Sequence, residues 1–308
     1  MTNLSDTEKF LLNEIADLKD IPTGAVNIRS NSQAVYRRSS KNVEIKSKEG
    51  VSGLDIFIKP NTKGEQVHIP VVISESGIKE KVYNDFFIGD NADILIVAGC
   101  GIDNCGAHDS QHDGIHRFYV GKNSRVKYTE KHYGSGKGAG KRILNPVTEV
   151  YMEEGSFVEM EMVQIKGVDD TTRTTVADLK EGARLVVRER LMTHESQQAF
   201  SVYTVNLNGA DSSADVVSRG VARDTSFQKL DLKIVGNAPC KGHTECDSII
   251  MDNGKILAVP ALEANDVDSS LVHEAAIGKI AGEQIMKLMT LGLTEAEAEE
   301  QIINGFLR

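Results

Sequence analysis

Four glycines, Gly155, Gly182, Gly209 and Gly236, recur at equal intervals of 27 residues. A fixed period of this length constrains the fold more than any other feature of the chain. In a chain with 27 glycines some equal spacings arise by chance, so the residues around them must decide. They alternate with period two: Val158, Met160 and Met162 against Glu159 and Glu161; Val187, Glu189 and Leu191 against Arg188 and Arg190; Leu230, Leu232 and Ile234 against Asp231 and Lys233. Such alternation marks strands with one face inward and one in water. Short strands repeating at this period, with no helical segment between them, predict a mainly β fold: a parallel β-helix in which each coil buries its inner face against its neighbours. At 308 residues the general prior is roughly two domains of about 150 residues, but a solenoid of this length forms one unit.

The ends of the chain read differently. Ser5 followed by Glu8 is a capping box, and Phe10, Leu11, Ile15 and Leu18 follow at near-helical spacing. Short runs of Val, Ile and Phe punctuated by Gly and Asn then indicate strands from about Ala34. After Ala275, Ile277, Ile280, Ala281, Ile285, Leu288 and Met289 recur at helical spacing, Gly292 is placed to end that helix, and Thr294 with Glu297 forms a second capping box. The expected division is an N-terminal helical segment (1–33), a β-helix core (34–274) and C-terminal helices (275–308). These last helices fit a cap over the final coil or a docking surface for a partner.

Composition narrows the function classes. With 35 basic and 45 acidic side chains, a net charge of −10 disfavours nucleic acid and anionic membrane as main partners. At 5% aromatic residues and no Trp, the core rests on aliphatic side chains and base-stacking platforms are not expected. The longest apolar run, residues 94–98, falls far short of the ~18 residues of a membrane helix, and the N-terminus has no basic-then-apolar signal. A cytoplasmic location is therefore expected. There the four cysteines, Cys100, Cys105, Cys240 and Cys246, read as ligands, nucleophiles or buried apolar residues rather than disulfides.

Three stretches carry candidate chemistry. Residues 100–116 hold Cys100, Asp103, Cys105, His108, Asp109, His112, Asp113 and His116, and Gly99, Gly101, Gly106 and Gly114 suggest that they form a loop. That loop is either a metal or thiol site or a polar surface turn. Residues 134–141 bring Gly136, Gly138 and Gly140 before Lys141, but Ser135 stands where a phosphate loop needs Gly and Arg142 where it needs Ser or Thr; a flexible basic loop is the reading that remains. Lastly, Cys240, His243, Glu245, Cys246 and Asp247 are followed by His273 and Glu274, 27 residues after Cys246. In a 27-residue coil Cys246 and the His273–Glu274 pair stack on successive turns; the alternative is an inert buried thiol beside an unrelated His-Glu pair.

The Cys-Asp-Ser of Cys246 to Ser248, the Val-His-Glu-Ala of Val272 to Ala275, the Leu-Met-x-x-Gly-Leu-x-x-x-Glu-Ala of Leu288 to Ala298, Gly305-Phe306, His116 and the Arg-Val-Lys-Tyr of Arg125 to Tyr128 together resemble the SufB/SufD family of iron–sulfur cluster assembly proteins, over about residues 100 to 308. The resemblance implies a right-handed β-helix with terminal helices that acts as a scaffold, not an enzyme. A SufC-type ABC ATPase would dock on the C-terminal helices and own the ATP hydrolysis. It further implies a transient iron–sulfur cluster near Cys246, His273 and Glu274, a sulfur-receiving Cys105, and a sulfur donor protein or sulfide source, with a flavin as a further cofactor of the assembled complex. Cys100, His108, His112 and His116 are additional metal-ligand candidates. The chain resembles the compact SufB-like members, which implies a homodimer with Cys246 and Glu274 contributed by each protomer. Two other readings compete: a SufD-like structural partner that carries no cluster, and a β-helix enzyme acting on acidic polysaccharide.

Overall fold

The computed structural model describes residues 4–308. Helix α1 (Asp6–Ala16) is capped by Ser5 and Glu8 as the sequence predicts. The strands follow: β1 (Ala25–Ser30), β2 (Gln33–Arg38), β3 (Val43–Ser47), β4 (Gly53–Ile58), β5 (Lys63–Ile73), β6 (Lys79–Ile88), β7 (Asp93–Asp103), β8 (Ser110–Val120), β9 (Arg125–Ser135), β10 (Arg142–Leu144) and β11 (Val147–Met152). The second half continues with β12 (Phe157–Lys166), β13 (Asp170–Leu179), β14 (Arg184–Thr193), β15 (Gln198–Leu207), β16 (Ser213–Ala222), β17 (Phe227–Gly236), β18 (Lys241–Ile250), β19 (Lys255–Ala264) and β20 (Ser270–Gly278). Helices α2 (Gly282–Met289) and α3 (Glu295–Phe306) close the chain, the latter with the Thr294–Glu297 capping box. No helix among the described residues is long and apolar enough to cross a membrane.

Successive strands go to alternate sheets, and the result is a parallel β-solenoid with two walls. One wall runs β2-β1-β5-β7-β9-β12-β14-β16-β18-β20 and the other β19-β17-β15-β13-β10-β8-β6-β4-β3, with β11 joining β13 to β8. The β1–β2 and β3–β4 hairpins are antiparallel and sit at the N-terminal end. Strand β1 already pairs in parallel with β5, so the solenoid begins ahead of Ala34.

The coils are not of one length. Phe157 pairs with Arg184 at 27 residues, but Arg125 pairs with Phe157 at 32, Arg184 with Ser213 at 29, and Lys241 with Ser270 at 29. Of the four periodic glycines only Gly155 and Gly182 are equivalent, both left-handed at the turn before a strand of the first wall. In the next coil Asp211 takes that conformation, while Gly236 ends β17 in the opposite wall. What repeats is a left-handed Asn, Gly or Asp followed by a small buried residue: Asn91-Ala92, Asn123-Ser124, Gly155-Ser156, Gly182-Ala183 and Asp211-Ser212. Asn, Asp and Gly tolerate this conformation best, and the small residue lets the turns stack.

The interior is mainly aliphatic, with Phe86, Phe118, Tyr128 and Tyr203 fully buried in it. Outside the second wall Phe57, Phe87, Tyr119 and Tyr151 stack in a ladder with ring centroids 4.9, 5.1 and 5.3 Å apart. Composition alone did not suggest such a ladder, but its members lie one coil apart in the sequence. The last coil is uncovered. Inward-facing Leu262 of β19 and Ile277 of β20 remain 41% and 43% exposed, because α2 and α3 pack on each other rather than over that end.

Candidate functional site

Residues 100–116 do not form the loop their glycines suggested: only the turn 104–109 is irregular, and the rest belongs to β7 and β8. Gly99 and Gly101 point out of the first wall beneath α1. There a Cβ on Gly99 would lie 2.8 Å from the Ile15 carbonyl oxygen, and one on Gly101 would lie 3.1 Å from the Leu11 side chain. The helix needs a bare strand to rest on. The alternation splits the proposed ligands accordingly. Cys100, His112 and His116 face the interior and are buried, whereas Cys105 and His108 are exposed on the turn. The 134–141 stretch is not a free loop either. A Cβ on Gly136 (φ +98°) would meet the Asn104 backbone at 2.3 Å, and one on Gly138 would meet Gly106 at 2.2 Å, so this segment lies flat on the turn that carries Cys105.

Inside, two imidazoles converge on the space left by Gly114, where a Cβ would stand 3.2 Å from His112 Nε2 and 3.3 Å from His116 Nε2. Their other nitrogens are held: His112 Nδ1–H donates to Glu80 Oε1 at 3.0 Å and His116 Nδ1–H to the Tyr128 hydroxyl at 2.8 Å. The Tyr128 hydroxyl donates in turn to Glu130 at 3.1 Å. This arrangement turns both Nε2 atoms into the gap. With Cys100 and His132 the pair lines a cavity of about 10 Å³, room for about one water-sized ligand. Burial lowers His116 to about 4, partly countered by Glu130, so the ring is neutral. Burial alone would raise Glu80, but its hydrogen bond and charge contact with His112, and those with Arg29, hold it at about 2. Burial, with the charges of Glu80 and Glu130, pushes the Cys100 thiol well up.

The polar line continues along the axis. Arg173, buried, pairs with Glu130 and lies 3.6 Å from Glu189. Glu189 accepts from Ser201 at 2.7 Å, Tyr203 at 2.9 Å and Ser218 at 2.7 Å, and Ser218 stands beside Cys246 in the β16–β18 register. Buried charges persist only when paired and hydrogen-bonded, and each here has its partners. Glu80, Glu130 and Arg173 were not singled out from the sequence. Glu189, on the apolar side of its alternation, was the visible signal.

At the far end the coil is 29 residues long, and this corrects the expected stacking. Cys246 pairs with Ala275, whereas Thr244 pairs with His273 and Glu245 with Glu274. Cys246 faces inward and is 1% exposed; burial first, then the charges of Glu189, Asp247 and Glu245, raise its thiol to about 12. His273 also faces inward, its Nδ1 2.6 Å from the Thr244 hydroxyl and its Nε2 buried without a partner. Glu274 points to the outer face. Cys240 is buried in the core, 3.6 Å from the Ser269 hydroxyl.

Residues 85–306 match the family model described as "SUF system FeS cluster assembly, SufBD core domain". The chain belongs to the SufB/SufD family. Its relatives include an iron–sulfur cluster assembly SufBD family protein of Methanocaldococcus jannaschii, 28% identical over 86% of this chain and 84% of that one. Another, of Archaeoglobus fulgidus, is 30% identical over 84% of this chain and 69% of its own length. The match to a longer Methanothermobacter thermautotrophicus protein is 29% identical over 76% of this chain and covers 57% of that relative. Membership in this family supports a SufBD-type scaffold for a transient iron–sulfur cluster.

Proposed function

We propose that this chain receives sulfur at Cys105, passes it through the solenoid interior and holds the nascent cluster at Cys246, with His273 and Glu274 beside it. The observation that carries this reading is the line of buried polar side chains from His116 through Tyr128, Glu130, Arg173 and Glu189 to Ser218, next to Cys246. An interior meant only for stability has no use for so many charges. A thiolate is both the nucleophile for persulfide sulfur and a soft ligand for iron.

Cys246 is buried and protonated in this state, so the reaction requires the β18–β20 end to open. A SufC-type ABC ATPase supplies that work, docking on the C-terminal helices, where Met286, Met289 and Leu291 expose an apolar face. A second copy of the chain covers the open last coil and brings a second Cys246 and Glu274. In the cytoplasm a sulfur donor protein carrying a cysteine persulfide passes its outer sulfur to the Cys105 thiolate on the exposed turn and leaves as its own thiolate, whereas a sulfide source supplies sulfide directly to iron with no persulfide formed; a flavin is a further cofactor of the complex. The chain itself is not an ATPase.

Anaerobic reconstitution with ferrous iron and sulfide, with and without the ATPase, tests the reading through visible iron–sulfur absorbance. Colour in the wild type that is lost in Cys246→Ser is the expected result. Equal colour in both proteins overturns the Cys246 assignment, and colour in neither favours a SufD-like structural role.

A further inference from the structure

On the outer face of the first wall, one residue removed from Cys246, three ligand-bearing side chains meet. His243, Glu245 and Glu274 each offer one donor atom, all within 4.8 Å of one another. His243 Nε2 lies 3.9 Å from Glu274 Oε2. Glu245 and Glu274 are register partners on neighbouring strands, and like charges placed directly opposite repel. Arg219 on the same face offsets the Glu245 charge only in part, and its guanidinium also donates to the Phe306 carbonyl at 3.3 Å and lies 5.9 Å from the centre of the Phe306 ring.

The imidazole is set for coordination. His243 Nδ1–H donates to Asp215 Oδ1 at 2.8 Å, and Asp215 is itself held by Arg188 at 2.5 Å. This carboxylate–histidine arrangement, a usual support of metal-binding imidazoles, leaves Nε2 as the free donor facing the two carboxylates. A metal at about 2.1 Å from each atom needs the donors roughly 3–3.5 Å apart, a side-chain adjustment on a partly exposed face.

We propose that His243, Glu245 and Glu274 form a docking site for a divalent transition metal, with Asp215 as the positioning residue. The donors are one nitrogen and two carboxylate oxygens, which suit ferrous iron before it meets sulfur. That the ion is iron rests on the scaffold reading; the site itself does not. Iron then waits on the outer face of β18 while sulfur arrives at Cys246 on the inner face. Glu274 can serve both steps, since it lies at the open edge of the wall.

The test uses the full-length protein, anaerobic and free of sulfide, titrated with Fe(II) by equilibrium dialysis and with Co(II) by visible absorption. The wild type should bind the ion with a cobalt spectrum free of thiolate charge-transfer bands. His243→Ala and Glu245→Gln should each weaken binding at least ~10-fold, and Asp215→Asn by roughly 10–100-fold, with unchanged thermal melts. Cys246→Ser should bind as tightly as the wild type. The proposal is overturned if the wild type retains no metal, if His243→Ala and Glu245→Gln bind normally, or if Cys246→Ser loses the ion. Because no sulfide is present, this outcome is independent of whether cluster colour depends on Cys246.

Discussion

The middle of the solenoid and its last coil share one strand grammar yet differ in what lies above them. Between β6 and β14 the inward charges meet partners from neighbouring strands and coils: Glu80 with His112, Glu130 with Arg173, Arg173 with Glu189. At β19 and β20 no further coil follows, and inward-facing Leu262 and Ile277 stand half open. The comparison teaches that in a solenoid a residue's burial is set by its neighbouring coil and only secondarily by its own strand.

Removing the central cation should break the middle most severely. Arg173→Met leaves the Glu130 and Glu189 carboxylates buried without their counter-charge, at a cost of about 3–5 kcal/mol, read as a fall in the urea midpoint. Adding Glu130→Gln and Glu189→Gln to Arg173→Met should recover most of that loss. No recovery would mean that packing, not charge, holds this segment.

Acid should find the same region next. His116 sits at about 4 when folded against ~6.5 when free, so the unfolded chain takes up its proton first. Its contribution, about 3 kcal/mol, is complete above pH ~6.5 and is lost as the pH falls to about 4. His68, also lowered by burial, adds to that window. Glu80, held at about 2, acts in a second window below the ordinary carboxylate value of 4.5. Thermal melts between pH 7 and 4 should therefore slope downward, and His116→Gln should flatten the slope; an unchanged slope removes His116 from the account.

Much of this was legible beforehand, for definite reasons. Alternation with period two revealed the inner face, and Ser5–Glu8 and Thr294–Glu297 marked the starts of α1 and α3, because these signals are local. Coil length is not local. The 27-residue spacing holds for Phe157 to Arg184 but not at β18–β20, where two extra residues shift Cys246 from His273 to Ala275. The glycines of β7 were misread because a bare strand beneath a helix and a loop leave the same mark. Glu130 and Arg173 are 43 residues apart, so their pairing shows only once the coils are counted. The His243–Glu245–Glu274 group was half visible, with its members noted but their shared face hidden by the same register error.

A smaller change sharpens the view of the cavity. Gly114→Ala would push a methyl between His112 and His116, whose Nε2 atoms stand 3.2 and 3.3 Å from its position. With both rings tied through Nδ1, the strain should cost about 1–3 kcal/mol in a thermal or urea melt. A neutral result would mean that the rings can rotate away, and hence that their orientation is not fixed.

The smallest effect on the chain itself belongs to its open end, and there it separates two properties that coincide in the middle. Ile234 and Leu262 are register partners one coil apart, the former 1% and the latter 41% exposed. Ile234→Ala should cost about 2–5 kcal/mol, since it empties a packed site. Leu262→Ala removes a contact that water already shares and should cost less than ~1 kcal/mol in the isolated chain. If a second copy covers this coil, the same Leu262→Ala change will also raise the dimer dissociation constant in sedimentation, because the residue is buried only in the pair. Unchanged association with unchanged stability would place any dimer contact elsewhere, leaving the last coil to a different partner.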